Sequence, residues 1–127
     1  MDRHHSINYL ELPSRDIAKT KSFFGTLFGW SFTDYGPDYV ATSDGGMELG
    51  FFRAEQNADT QNGSALVVFY SDDLEATLNA VQQAGGTVKR PIFGFPGGRR
   101  FHFVDPVGNE FAVWSEKGTD PNEDLGE

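Results

Sequence analysis

The chain has 127 residues, a length that predicts one domain with a limited hydrophobic core rather than a multidomain enzyme. Its 19 acidic and 10 basic residues give a net charge of −9, which disfavours binding to nucleic acid or to anionic membranes. The sequence contains no cysteine, which excludes disulfides, thiolate nucleophiles and Cys-ligated metal centres. Any bound metal would therefore need His, Asp or Glu ligands.

The composition also bears on location and fold class. No apolar run approaches the roughly 20 residues that span a membrane, and the first residues, MDRHH, lack the layout of a signal peptide. The expected location is cytoplasmic. With 38% hydrophobic residues and 15 glycines, the chain is typical of a globular protein rich in strands and turns.

In chain order, the first predicted element is a short strand over residues 7–12, INYLEL. An amphipathic helix follows over residues 17–28, with Asp16 as the predicted N-cap and Gly29 ending the helix. Three more strands are predicted after this helix, separated by turns rich in Gly, Pro and Asp, at residues 30–35, 39–43 and 47–52.

The same order of elements then recurs. A strand at residues 65–70 precedes a helix at residues 74–84, with Asp73 in the N-cap position and Gly85 at the end. The two helices begin 57 residues apart, and three further strands follow as TVKRPI, GRRFHFV and EFAVWS. The sequence therefore predicts an internal repeat of a β-α-β-β-β unit.

This repeat sets the domain division. We expect one α+β domain over residues 1–117, with modules at about 6–53 and 64–116 and a polar linker at 54–63. The last ten residues, 118–127, hold four acidic residues, no basic residue and a single large apolar one. They are predicted to form a disordered, dispensable acidic tail.

Three segments carry a family resemblance: LPSRDIAKTKSFFGTLFGW, YSDDLEATLNAVQQAGG and FHFVDPVGNEFAVW. They resemble the signature stretches of the vicinal oxygen chelate superfamily, which includes glyoxalases, bleomycin-resistance proteins, fosfomycin-resistance enzymes and extradiol dioxygenases. The resemblance covers about residues 6–116. It implies two β-α-β-β-β modules that form a cupped mixed sheet around a small-molecule site, with the helices on the outer face.

The resemblance also indicates where a metal would bind. In the metal-dependent members the ligands come from the first and fourth strands of each module, positions that fall here on Tyr9, Leu66, Glu48 and Ala112. Only Glu48 is a usual metal ligand, because leucine and alanine have no donor atom. We therefore expect neither a metal nor another cofactor.

Strand alternation predicts the lining of the cup. In FHFV the side chains of Phe101 and Phe103 share one face and those of Arg100 and His102 the other, so His102 faces the cup if the phenylalanines pack on the helices. The same argument places Phe111 against the helices. The predicted lining consists of Tyr9, Glu11, Glu48, Gly50, Phe52, Leu66, Val68, Tyr70, Arg100, His102, Ala112 and Trp114.

Within this lining, Glu48 and His102 are the one pair that resembles acid-base machinery. Two interpretations stay open: a metal-independent protein that binds a small aromatic or amphipathic compound, and a lyase or isomerase that uses Glu48 and His102. Tyr9, Phe52, Leu66, Tyr70, Arg100, Ala112 and Trp114 are the predicted ligand contacts. Alternatively, the cup is filled by its own aromatic side chains, or Arg100 and Glu48 form a buried ion pair.

Two more features are left as expectations. Residues 93–99, glycine-rich and aromatic, form either a flap over the cup or an ordinary strand connection. Phe51, Phe52, Phe69 and Trp114 are more large apolar side chains than two small helices cover, so we expect a homodimer. The predicted partners are thus a small-molecule ligand and a second copy of the chain.

Overall fold

Two β-α-β-β-β modules, one from each half of the chain, make up the computed structural model, which describes residues 3–117. The predicted α+β class is confirmed. The helices are α1 (Ile17–Phe28), α2 (Leu74–Ala84) and a short 3-10 helix (Thr60–Asn62) in the linker. The strands are β1 (Tyr9–Ser14), β2 (Thr33–Asp34), β3 (Tyr39–Thr42), β4 (Glu48–Arg53), β5 (Val67–Tyr70), β6 (Thr87–Phe95), β7 (Gly98–Val104) and β8 (Glu110–Ser115).

Each module contributes its own four-stranded mixed sheet. The strand order is β1-β4-β3-β2 in the first module and β5-β8-β7-β6 in the second. In both sheets the strand before the helix pairs in parallel with the last strand of its module, and the other pairs are antiparallel. As a result β1 and β5 lie at equivalent edges of the two sheets.

Local capping chemistry sets the bounds of the two helices. Asp16 accepts a hydrogen bond from the backbone N–H of Lys19, and Asp73 accepts one from Ala76 in the same way. Each helix ends at a glycine in the left-handed conformation, with φ of 73° at Gly29 and 108° at Gly85.

The core lies on the helix side of both sheets and is shared by the two modules. Phe24 of α1 is fully buried, and its ring stacks on Phe51 of β4 at 5.7 Å and meets Phe111 of β8 edge-on at 5.4 Å. Phe101 and Phe103 are likewise fully buried, as the alternation along β7 predicts. The helix-side faces therefore close over one aromatic core.

Two predicted strands differ from the structure. Only Thr33–Asp34 of the predicted 30–35 strand is paired, because Trp30 and Phe32 turn into the core, where Trp30 stacks on Phe24 at 5.0 Å. Residues 93–99 form an ordinary strand connection, since β6 and β7 continue up to the Phe95–Gly98 pair around a two-residue turn.

A buried polar turn between β7 and β8 joins the two modules. In residues 105–109, Asp105 accepts hydrogen bonds from the backbone of Val107 and Asn109, and the Asn109 amide bonds to Pro13 and Ala58. Burial raises the pKa of Asp105 to about 6, although these N–H donors act to lower it. The turn thereby fastens the first module and the linker to the second.

No helix within residues 3–117 is long and apolar enough to cross a membrane. The predicted acidic tail at 118–127 lies outside the described residues.

Candidate functional site

The faces of the two sheets opposite the helices carry the residues predicted to line a cup. We call the face of sheet β1-β4-β3-β2 the first face and that of sheet β5-β8-β7-β6 the second face. Tyr9, Glu11, Glu48, Gly50 and Phe52 belong to the first face, and Val68, Tyr70, Arg100, His102, Ala112 and Trp114 belong to the second. Leu66 directly precedes β5.

The first face is organised by a chain of hydrogen bonds over Gly50. Tyr39 donates its hydroxyl proton to Glu11 Oε2 at 2.8 Å, so Tyr9 must be the donor to the Tyr39 oxygen, at 2.5 Å. Burial, reinforced by these two partners, raises the pKa of Tyr39 above its usual range. A Cβ at position 50 would overlap the Tyr39 hydroxyl, so a larger residue there would displace Tyr39 from these hydrogen bonds.

Glu48 lies beside the hydrogen-bonded Tyr9, Tyr39 and Glu11. It is opposite Tyr9 in the parallel register of β1 and β4. Its side chain is exposed, and it lines a groove of about 410 Å³ together with residues of the N-terminal segment and the β3–β4 loop. Glu48 is therefore a solvent-facing carboxylate in the described chain.

The second face arranges its side chains in two adjacent rows that cross all four strands. Register pairs align the first row as Tyr70, Trp114, Arg100 and Phe93, and the second row as Val68, Ala112, His102 and Arg90. Tyr70 and Trp114 meet edge-on at 5.0 Å, and Phe95 lies 6.3 Å from Trp114. Aromatic and cationic side chains thus share one continuous surface.

His102 is held between a cation and an anion on this face. Arg100 donates from Nε to His102 Nε2 at 3.2 Å, and because a guanidinium cannot accept, Nε2 carries no proton in this bond. The ring proton is then on Nδ1, which donates to Glu110 Oε2 at 2.9 Å. His102 in this arrangement is neutral.

Glu110 is the anchor of the arrangement, and its side chain is only 3% exposed. It accepts from the backbone N–H and hydroxyl of Thr60, at 2.9 and 2.7 Å, and from Lys89 at 3.2 Å. Burial acts to raise the pKa of Glu110, but the hydrogen bonds from His102, Thr60 and Lys89 outweigh it and lower the pKa to about 2. The carboxylate is therefore ionised at neutral pH.

The structure does not pair the predicted acid and base. Glu48 and His102 lie on different sheets, and the carboxylate that contacts His102 is Glu110. The suggested ion pair of Arg100 with Glu48 is likewise not formed among residues 3–117, where Arg100 contacts His102. Glu110 lies two residues before Ala112, so alternation along β8 puts it on the same face, but only the structure shows that it reaches His102.

Most of the apolar side chains from which a homodimer was predicted are not on the surface. Phe51 is fully buried in the core of its own chain, and Phe69 packs against that core. Phe52, 37% exposed, is the member of that set with a large exposed area. The exposed apolar side chains of the two sheet edges are instead Tyr9, Val68 and Tyr70.

Sequence reasoning missed a groove along the free edge of β5. It has a volume of about 410 Å³ and is lined by Phe28, Trp30, Asp44, Gly45, Val68, Phe69 and Tyr70. Its residues come from both modules, and Trp30 was assigned to a strand, so no local pattern indicated it. The groove adjoins the Tyr70 end of the second face.

The residues at the four family metal positions do not fit a metal ion. Leu66 and Ala112 offer only hydrocarbon, and Tyr9 is committed to Tyr39. Within residues 3–117, no three His, Cys, Asp or Glu side chains are grouped so that they could hold an ion. No chemistry through a metal follows from these residues.

Comparison with known proteins agrees with this fold. A sequence model of the glyoxalase/bleomycin resistance protein/dioxygenase superfamily matches residues 6–113. An anthracycline biosynthesis protein, DnrV from Streptomyces peucetius, is 32% identical over 84% of this chain. A putative glyoxylase, CFP32 from Mycobacterium bovis, is 26% identical over 88% of this chain. The chain spans 45% and 46% of these two relatives, about half their length.

Solved structures show the same architecture. A glyoxalase-related enzyme from Fulvimarina pelagi superposes with a TM-score of 0.73 at 18% identity, covering 87% of this chain and 88% of that one. A fosfomycin resistance protein from Listeria monocytogenes gives a TM-score of 0.71 at 17% identity, covering 90% and 93%. The two modules, their order of elements and the match over most of the described residues lead to one conclusion: the chain belongs to the glyoxalase/bleomycin resistance protein/dioxygenase superfamily.

Proposed function

We propose that this domain binds a small aromatic organic molecule on the second face, without a metal. The observation that carries the proposal is the row of Tyr70, Trp114, Arg100 and Phe93 across the four strands. Aromatic side chains offer flat apolar area for stacking, and a few polar groups fix the orientation of the ligand.

The groove beside β5 supports this proposal. Its volume of about 410 Å³ lies within the range of small-molecule pockets, and Tyr70 belongs both to the groove and to the row. A planar ligand stacked on Trp114 can therefore extend toward Trp30. The relative DnrV is an anthracycline biosynthesis protein, which points to fused aromatic rings as the compound class to test first.

The first test is truncation of Trp114. Stacking on an indole ring contributes about 0.5–1.5 kcal/mol beyond area burial, so Trp114→Ala should weaken binding of the neutral probe anthraquinone-2-carboxamide by roughly 2- to 12-fold. Isothermal titration calorimetry measures the affinity, and thermal unfolding measures the stability of the same sample. Tyr35→Ala is the matched control, because Tyr35 is a 63% exposed aromatic residue outside the second face.

Two results would contradict the proposal. One is a wild-type protein that binds no probe. The other is a Trp114→Ala variant that unfolds, since Trp114 would then be part of a packed core rather than of a ligand surface.

We also propose that the domain is a homodimer in which β1 of one copy lies beside β5 of its partner. Both are edge strands, and the exposed apolar side chains Tyr9, Val68 and Tyr70 lie on them. Such a pairing would make the partner's β1 one wall of the groove beside β5 and place a first face, with Glu48, next to a second face, with His102. One cup would thus be assembled from two chains.

Sedimentation tests this arrangement. At micromolar concentration the wild type should sediment at twice the 14.1 kDa of the chain, and Val68→Lys should shift it to the monomer by placing a charge on the β5 edge. Thr33→Lys, an exposed change on the distant β2 edge, should leave the dimer intact. A wild type that sediments only as a monomer would disprove the pairing.

One observation favours a second function, a lyase or isomerase of the glyoxalase type. His102 is oriented by Glu110 as a catalytic imidazole would be, and Glu48 could join it across the proposed dimer. However, Arg100 donates to His102 Nε2, the atom that a general base needs free. Chromatography of the probe released from the complex separates the functions, because a binding protein returns the probe unchanged and an enzyme returns a product.

A further inference from the structure

The hairpin of β6 and β7 is cationic in an acidic protein. Residues 87–104 contain four of the ten Lys and Arg residues and no Asp or Glu, whereas the whole chain has a net charge of −9. Segregation of charge on this scale creates a local field opposite to that of the molecule as a whole. The partners of these four cations decide whether the field is available to a ligand.

Two of the four cations are already neutralised. Lys89 lies 3.4 Å from Asp59 and 3.2 Å from Glu110, and Arg99 pairs with Glu75. These contacts belong to the fold, since they join the hairpin to the linker and to α2. They leave little charge for an external anion at Lys89 and Arg99.

The other two cations have no carboxylate partner among residues 3–117. Arg90 is exposed and stacks over the Phe93 ring, with its guanidinium carbon 3.7 Å from the ring centroid. Arg100 lies 6.0 Å from the same centroid and donates from Nε and one terminal nitrogen to His102. Both guanidinium groups therefore flank one aromatic ring on the second face.

The neighbours of Arg100 keep its charge uncompensated. His102 is neutral in this arrangement, because its Nδ1 proton goes to Glu110 and its Nε2 accepts from Arg100. Glu110 directs its oxygens to Lys89, Thr60 and His102 and forms neither a hydrogen bond nor an ion pair with Arg100. One terminal nitrogen of Arg100 has no hydrogen-bond partner within the described residues.

We propose that Arg100 and Arg90 form an anion subsite that selects planar aromatic carboxylates. The carboxylate of the ligand accepts hydrogen bonds from Arg100, Arg90 supplies a second positive charge, and the ring of the ligand lies over Phe93 and Trp114. A guanidinium matches the plane and spacing of a carboxylate, and hydrogen bonds between charged groups are stronger than those between neutral groups. This inference rests on the proposed function and adds the charge of the ligand to it.

A matched pair of probes tests the anion subsite separately from the binding of aromatic rings. Anthraquinone-2-carboxylate and anthraquinone-2-carboxamide share the ring system and differ in charge, and calorimetry gives both affinities. We expect the wild type to bind the carboxylate at least tenfold more tightly. Arg100→Gln should weaken binding of the carboxylate by a larger factor than binding of the carboxamide and so remove most of that preference, and Arg90→Gln should remove part of it.

The control variant removes an arginine that lies outside the second face. Arg53→Gln also removes one guanidinium and one positive charge, but Arg53 lies at the end of β4 and pairs with Glu55, so the preference for the carboxylate should persist. Equal binding of the two probes by the wild type, or equal effects of Arg100→Gln and Arg53→Gln, would disprove the subsite and leave the proposed function intact. Failure of both probes to bind would contradict the proposed function itself. Thermal unfolding of each variant shows that the fold is preserved.

Discussion

Phe24→Ala should lower the free energy of unfolding by about 3–5 kcal/mol, a large share of the 5–15 kcal/mol that holds a typical domain together. Phe24 is fully buried and its ring lies within 6.4 Å of six other aromatic rings. Those rings come from α1, the segment after it, β4, β5 and β8. The cavity left by the substitution would therefore open at the junction of both modules.

Urea unfolding followed by circular dichroism measures this effect, and Phe52→Ala is its control. Phe52 lies one residue after Phe51 on β4, but its side chain is 37% exposed, so its removal should cost roughly 1 kcal/mol or less. Should Phe24→Ala be too unstable to purify, Phe24→Leu fills part of the cavity and should give an intermediate value. Equal costs for Phe24→Ala and Phe52→Ala would show that the modules do not share one core.

The bounds of the two helices could be predicted from sequence because the signals are local. Asp16 and Asp73 act on N–H groups three residues away, and Gly29 and Gly85 supply the left-handed residue that ends each helix. The strands were placed nearly as well wherever alternation continued, as in β7 and β8. Trp30 and Phe32 alternate as in a strand but pack against the core without pairing to a neighbouring strand, so alternation misled the prediction of β2.

The candidate site could be predicted only in part. Strand alternation tells which face of the sheet a side chain lies on, but not which side chain it contacts. His102, Arg100 and Trp114 were assigned to one face of the second module, and the register places them there. Their surroundings depend on contacts distant in sequence: Thr60 of the linker donates to Glu110, the partner of His102, and Phe28 of α1 lines the groove that Tyr70 also lines. The burial of Phe51 was missed for the same reason, because Phe24 of α1 and Phe32 of the segment after it pack on its ring.

Asn109→Ala should destabilise the protein by about 2–5 kcal/mol, because it leaves the buried Ala58 N–H and the part-buried Pro13 carbonyl without their partner. The side chain is fully buried, accepts from the Ala58 N–H at 2.7 Å and donates to the Pro13 carbonyl at 2.8 Å. Each unsatisfied buried group costs about 1–3 kcal/mol. The effect should exceed that of Asn57→Ala, the control, which removes one part-buried hydrogen bond to the Gly108 carbonyl.

The variant Asn109→Asp separates hydrogen bonding from packing at this position. It keeps the volume and the oxygen that accepts from Ala58, but it turns an acceptor toward the Pro13 carbonyl and adds a charge close to Asp105. At neutral pH it should be at least as destabilising as Asn109→Ala by urea unfolding. If Asn109→Asp were as stable as the wild type, the contact between the first module and the turn at 105–109 would depend on shape alone. The strength of that contact matters for function, because Asn109 directly precedes Glu110, the residue that orients His102 on the second face.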